Sequence, residues 1–268
     1  MKTKFSLEII PKQVEKVKEI PKDLVDDIYV TYIPGSSPSD VINASETILN
    51  YGFNPVPHCP ARTIPDEEIL INYIDGLVKK GVMKILIIGG SVSTPKGKFS
   101  SSIDLLNTGL FQQSKIKSVN IAGHPEGNPD DENHFENMIN KSKWLGENNF
   151  QTNIITQWCL SPDITNSWIS KTKNQIEKIG VKSEIHLGIA GPAKLTTILK
   201  YAKICGVSAT TSVFMKQGLD IRKIINHNPD NILKKLTGYD KLHIYPFGGI
   251  NEFFKWYKNS NFQLSEVF

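Results

Sequence analysis

Apolar positions along the 268-residue chain follow two alternating rhythms. Short runs rich in β-branched and aromatic residues recur at 5–10, 28–32, 54–59, 84–88, 118–122, 153–160, 184–190 and 243–247, and read as strands. Between them lie stretches with helical spacing at 39–51, 65–80, 101–113, 133–148, 163–179 and 192–204. Pro38-Ser39-Asp40 opens the first of these and Ile64-Pro65-Asp66-Glu67-Glu68 the second, while Pro192 is placed as a first-turn proline. Residues 219–236, after the polar Thr210-Thr211-Ser212, read as one or two further helices, and 249–258 closes the series. Eight strands alternating with helices over this length predict a parallel (β/α)8 TIM barrel, one domain spanning 1–268. Several runs are apolar throughout, as strands buried on both faces should be. An open doubly wound sheet would want G-x-G-x-x-G after its first strand, but that strand runs into Pro11-Lys12-Gln13.

Composition narrows the function classes. The chain carries 31 Lys+Arg against 27 Asp+Glu, a net charge of +4. Only Arg62 and Arg222 are arginine, and the lysines are scattered over predicted helices. That pattern describes solvated helix faces, not a surface that reads nucleic acid through arginine forks. No apolar run reaches the roughly 18–20 residues that a membrane span needs. Met1-Lys2-Thr3-Lys4 leads straight into a strand pattern without a signal region. Cys59, Cys159 and Cys205 are odd in number and lack C-x-x-C spacing, so neither a disulfide framework nor a zinc site is expected. A reducing, cytoplasmic compartment is the simplest expectation. The six histidines are dispersed, and no metal is expected.

In a barrel, chemistry sits at the C-terminal ends of the strands. There the chain offers Glu8, Thr31, His58, Gly89-Gly90-Ser91, Gly123-His124-Pro125-Glu126, Gln157, Gly188 to Gly191, and Tyr245 to Gly249. Glu8, inside Phe5-Ser6-Leu7-Glu8-Ile9-Ile10-Pro11, is the strongest candidate. A carboxylate in an apolar strand is costly unless paired or protonated, and a raised pKa would make it a general acid near neutral pH. The 123–130 segment is rich in turn formers, yet a turn does not need its His and Glu. His58 and Cys59 are adjacent on a strand and point to opposite faces, so they form no nucleophile dyad. The glycine pairs would let backbone approach a ligand closely.

These strand ends resemble methylenetetrahydrofolate reductase, in its short bacterial form. The resemblance is carried by Ser6-Leu7-Glu8-Ile9-Ile10-Pro11, Val30-Thr31-Tyr32, Pro57-His58, Ile121-Ala122-Gly123-His124-Pro125-Glu126 and Ile155-Thr156-Gln157, in order along the chain. It implies an FAD-dependent oxidoreductase of the CH–NH class that interconverts 5,10-methylenetetrahydrofolate and 5-methyltetrahydrofolate. NADH or NADPH would be the electron partner, homo-oligomers the expected assembly, and the oxidative direction is open. By motif, Glu8 matches the family's general acid and Gln157 its pterin-contacting glutamine. Thr31, His58 and Ala122 match FAD-contacting positions, and His124 stands where the family often has tyrosine. Gly90, Ser91 and Glu126 join the cofactor side, and Tyr245 and Phe247 the substrate side, by their places at strand ends. Two departures stand out: Gly89-Gly90-Ser91 replaces the family's Arg-Gly-Asp, and Phe247-Gly248-Gly249 its Leu-Asn-Arg ending. The Arg-Gly-Asp change removes a carboxylate and a cation from the cofactor's surroundings. The alternative is a flavin-free tetrahydrofolate-binding barrel, a methyltransferase or carrier subunit.

Overall fold

The computed structural model describes residues 4–205 and 226–260. Eight parallel strands close into a barrel, ringed by helices. In chain order the strands are β1 (Phe5–Ile9), β2 (Val25–Val30), β3 (Asn54–Pro60), β4 (Lys84–Ile88), β5 (Ser118–Gly123), β6 (Ile154–Trp158), β7 (Ile185–Ala190) and, last around the ring, β10 (Lys241–Tyr245). Their spatial order is β1-β10-β7-β6-β5-β4-β3-β2, with β2 paired back to β1. A small antiparallel pair, β8 (Ala193–Lys194) with β9 (Asn226–His227), lies outside the ring.

The helices are α1 (Pro38–Asn50), α2 (Glu67–Lys79), α3 (Ser102–Asn107), α4 (Leu110–Gln113), α5 (His134–Glu147), α6 (Pro162–Lys178), α7 (Leu195–Ile204), α8 (Asp230–Leu233) and α9 (Ile250–Asn259). Their starts follow local chemistry. Ser37 and Asp66 accept hydrogen bonds from Asp40 and Ile69 N–H at the openings of α1 and α2. The expected helix at 101–113 is two, broken where Gly109 takes φ 74°. The 192–204 expectation also shifts. Pro192 precedes the helix, because Ala193–Lys194 pairs as a strand before α7 begins at Leu195. Of the 219–236 expectation, 219–225 lie outside the described residues, as do Thr210 to Ser212; the rest is a strand and the short α8. Between β1 and β2 the chain forms an unanticipated 3-10 helix, Pro11–Glu19.

Strand alternation sorts the side chains. On β1, Phe5 meets Phe253 and Tyr257 of α9 edge-on, at 5.6 and 5.1 Å between centroids, while Ser6 and Glu8 turn into the barrel. Tyr29, Val56, Leu86 and Ile155 form an apolar plug inside the ring. Polar residues gather at both of its ends. No helix among the described residues is long and apolar enough to cross a membrane.

Candidate functional site

The inward positions near the C-terminal strand ends are where the barrel opens. Glu8, Thr31, Ile88, Ala122, Gln157 and Tyr245 are each half-buried, whereas most other strand residues are buried. This ring of partial exposure marks a mouth, and it holds the strongest sequence candidates together.

Glu8 is the centre of it. One carboxylate oxygen, Oε2, faces His58 Nε2 at 3.4 Å and His243 Nε2 at 3.5 Å. Both nitrogens are buried and neither completes a hydrogen bond. The three groups are close enough to hold one another's charge, and far enough apart to accept a ligand atom. Burial alone would raise the Glu8 pKa; the two imidazoles outweigh it and hold it near 2. The sequence expectation of a raised-pKa glutamic acid is therefore corrected: Glu8 is a carboxylate at neutral pH. The apolar neighbours in sequence (Leu7 and Ile9) face outward, and the inward face supplies the partners.

His243 was not among the sequence candidates, although its place on β10 two residues before Tyr245 sets it on the inward face. It is fully buried, and burial holds its pKa below the ordinary value, so the ring is neutral near pH 7. Its Nδ1 lies 2.9 Å from Ser6 Oγ. With Glu8 ionised, the ring proton belongs on Nε2, facing the carboxylate, and the Ser6 hydroxyl donates to Nδ1. Tyr29 and Tyr245 brace the ring edge-on at 4.6 and 4.8 Å.

Gln157 sits where the β6–β7 register slips, between Ile155 and Trp158. Its Oε1 accepts from Trp158 N–H, and its Nε2 makes no hydrogen bond among the described residues. The slip depends on Gly188, where a Cβ would fall 2.4 Å from Thr156 O. That glycine serves close packing of two strands rather than the approach of a ligand. Tyr245 donates to Thr156 O at 3.0 Å and stacks on Phe247, which itself stacks on Tyr201 at 4.2 Å. Together they form an aromatic wall on this side of the mouth.

The remaining expected cofactor residues lie on β5 or in the loops after β2, β4 and β5. Thr31 donates to Ile9 O at 3.2 Å, tying the ends of β1 and β2. Gly90, at φ 94°, and the exposed Ser91 follow β4. Ala122 sits on the inward face of β5, beside Ile155. His124 packs edge-on against His134 at 6.0 Å; burial, then His134 and Lys141, hold it near 4, so it is neutral. Glu126 accepts from Leu160 and Ser161 N–H at 2.5 and 2.6 Å, which fastens the β5 loop to the start of α6. Its other oxygen, Oε2, is buried without a partner. Cys59 belongs to the outer core, where burial pushes its thiol far up. Among the described residues, no group of His, Cys, Asp and Glu could hold a metal ion.

No family model matches this chain. Among solved structures it is similar to an uncharacterised protein from Clostridium thermocellum that binds two copies of 5-methyl-5,6,7,8-tetrahydrofolic acid. The two share 11% identity with a TM-score of 0.59, over 96% of this chain and 95% of that one. It is also similar, at TM-score 0.44 and 6% identity over 71% of this chain and 49% of that one, to a conserved protein of unknown function from Enterococcus faecalis. At 11% identity the likeness to the Clostridium thermocellum protein is one of fold, and the fold it supports is the barrel.

Proposed function

We propose that this chain binds a reduced folate across the C-terminal mouth and, with FAD, interconverts 5,10-methylenetetrahydrofolate and 5-methyltetrahydrofolate. The observation that carries the reading is the ionised Glu8 flanked by two imidazoles whose Nε2 atoms lack partners. Folate binding by a barrel of the same fold supports it.

Opening the five-membered ring of methylenetetrahydrofolate needs a proton on the departing nitrogen and leaves an iminium on the other. Glu8, held near 2, cannot be the resting proton store at neutral pH. Its negative charge stabilises the iminium, a task for which Ser91 has no charge to offer. His58, at 3.4 Å from Glu8, is placed to hold the proton and pass it on. His243, fixed by Ser6, orients Glu8 from the other side. The unbonded Gln157 Nε2 and the Tyr245–Phe247 wall suit a flat, hydrogen-bonding pterin.

The residues present also fit a flavin. Gly89, Gly90 and Ala122 are half-buried and have little side-chain bulk, and Arg62, whose backbone N–H donates to Gly89 O, has its Nε buried without an acceptor. Thr31, Gly90, Ala122 and His124 would line the cofactor. When bound, FAD supplies hydride transfer between a nicotinamide donor, NADH or NADPH, and the one-carbon unit.

The test is anaerobic titration of the FAD-reconstituted protein with 5-methyltetrahydrofolate, watching the flavin absorbance. Bleaching on addition supports the reading. Binding of the folate with no flavin change would replace it with a flavin-free folate carrier or methyltransferase. No folate binding at all would sink both.

A further inference from the structure

Arg62 lies in the 3-10 turn Ala61–Thr63 that follows β3, with its side chain only 16% exposed. Its backbone is stitched to the loop after β4: Arg62 N–H donates to Gly89 O, and Lys96 N–H donates to Arg62 O, both at 2.9 Å. The guanidinium packs against Gly89, where a Cβ would sit at ordinary contact distance, 3.8 Å, from Cζ and Nη2. Nη2 donates to Gly90 O and, at 3.2 Å, to Asp130 Oδ2. Nε is buried with no acceptor. Native structures seldom leave a buried N–H unpaired, least of all on a cation.

The carboxylate now facing Arg62 is loosely placed. Asp130 is 60% exposed, on a loop that turns at Gly127 with φ 96°. Exposed carboxylates make weak ion pairs. An arginine fork is matched better by a phosphate, whose several oxygens can reach Nη2 and Nε together. Nearby cations divide in the same sense. Lys98 is occupied by Glu67 at 2.5 Å, whereas the exposed Lys96 has no ion pair among the described residues.

We propose that Arg62 is the seat of a phosphate group of a dinucleotide, and that Asp130 is a displaceable occupant that leaves when the phosphate arrives. The phosphate oxygens take over Nη2 from Asp130 and supply the acceptor that Nε lacks. This rests on the flavin reading only for the bearer it names first, the diphosphate of FAD; the nicotinamide dinucleotide carries the same chemistry.

Inorganic pyrophosphate is the probe that needs neither cofactor. Melting temperature is followed against pyrophosphate concentration for the wild type, Arg62→Ala, Arg62→Lys and Asp130→Asn. The wild type should be stabilised, and Asp130→Asn should respond at several-fold lower concentration. Arg62→Ala should need roughly 10- to 100-fold more, the scale of one lost charge-assisted contact. Arg62→Lys, which keeps the charge if the alanine variant folds poorly, should fall between. Absence of stabilisation in both wild type and Asp130→Asn overturns the proposal, as does an unchanged response in both Arg62 variants. Fluorescence titrations with FAD, riboflavin and NADH then name the bearer. FAD affinity falling in Arg62→Ala with riboflavin unmoved assigns the flavin diphosphate, and NADH falling instead assigns the nicotinamide donor. A pyrophosphate response with no flavin bound by any variant would sink the flavin reading and leave the phosphate seat standing.

Discussion

At the N-terminal end of the barrel Lys84 meets Asp27 at 2.8 Å, Lys241 meets Asp26 at 2.5 Å and His186 meets Glu184 at 2.9 Å. At the C-terminal end His58 and His243 stop 3.4 and 3.5 Å short of Glu8. Similar residue types line both ends, and the plug of Tyr29, Val56, Leu86 and Ile155 separates them. Burial pushes the Asp27 pKa up, but Lys241 and Lys84 more than reverse it, and the carboxyl stays below its ordinary value. Both lysines there meet a carboxylate at contact distance. At the mouth the Glu8 carboxylate is met at longer distance, by two imidazole nitrogens that stay unpartnered. Completing those contacts is work left for a substrate. Ionised groups therefore mark function here by how incompletely the protein satisfies them, not by their presence.

Two substitutions should break this comparison most sharply. Glu8→Gln is expected to lower the folate half-reaction by about 10²–10⁴-fold, the scale of acid–base and electrostatic participation, with a loss of stability no larger than the about 3 kcal/mol that its lowered pKa carries. Asp27→Asn is expected to act on stability instead: it strands the partly exposed Lys84, while Lys241 keeps Asp26, so the loss should fall short of the about 3–5 kcal/mol of a fully buried pair. Turnover per folded molecule should be unchanged. Stopped-flow kinetics beside chemical denaturation reads both. If Glu8→Gln unfolds the protein, or Asp27→Asn spares its stability while slowing the chemistry, the two ends have been assigned the wrong way round.

The next effect is in acid, where the two ends of the chemistry near the mouth titrate in separate windows. His124 is held near 4 against an ordinary 6.5. The unfolded chain binds its proton first, so the stability it contributes is complete above about 6.5 and is lost as pH falls toward 4. Glu8, held near 2 against 4.5, contributes fully above about 4.5 and loses that contribution toward 2. Each shift corresponds to at most about 3 kcal/mol. His124→Gln should reduce the slope of the upper window, to which His227 and His243 also contribute, and Glu8→Gln that of the lower one, which Asp27 shares. Denaturation midpoints across pH 2–7 that show the same slope in all three proteins would contradict the separation.

The barrel was legible in the sequence because its signal is repeated. Eight short apolar runs alternating with amphipathic stretches place the strands even where individual ends move, as when 28–32 becomes Val25–Val30. Glu8, His58 and Gln157 were legible as strand-end polar residues, and the structure places all three at the mouth. The pKa of Glu8 was not, because its partners come from β3 and β10, 50 and 235 residues away along the chain. His243 was hidden for the same reason: within Lys241–Tyr245 it reads as one polar residue in a strand, and only closure of the ring brings it to Ser6. Arg62 was counted as an isolated base, since nothing local shows that it is hydrogen-bonded to Gly89 and Lys96 in the loop after β4. Gly188 looked like room for a ligand because the register slip it permits belongs to a neighbouring strand.

The smallest expected effect tests the plug between the two ends. Tyr29 is fully buried, its ring edge-on to His243 and its hydroxyl accepting from Asn120 Nδ2 at 2.9 Å. Asn120 in turn accepts from Asn153 N–H at 3.0 Å, so the hydroxyl belongs to the network that runs toward the N-terminal end. The ring, in contrast, belongs to the mouth. Tyr29→Phe keeps the ring and removes the hydroxyl, leaving one Asn120 donor without its acceptor. The cost should be about 1–3 kcal/mol, toward the low end because the lost partner is neutral and no charge is stranded. The folate half-reaction should stay within about threefold of the wild type, since the surface against His243 is unchanged. Tyr29→Leu is the sharper companion. It removes the hydroxyl and the flat face together, so it should cost additional stability and also slow the chemistry by letting His243 turn. If Tyr29→Phe alone slows turnover tenfold without further loss of stability, the hydroxyl takes part in the mouth's proton chemistry, and the plug does not insulate the two ends.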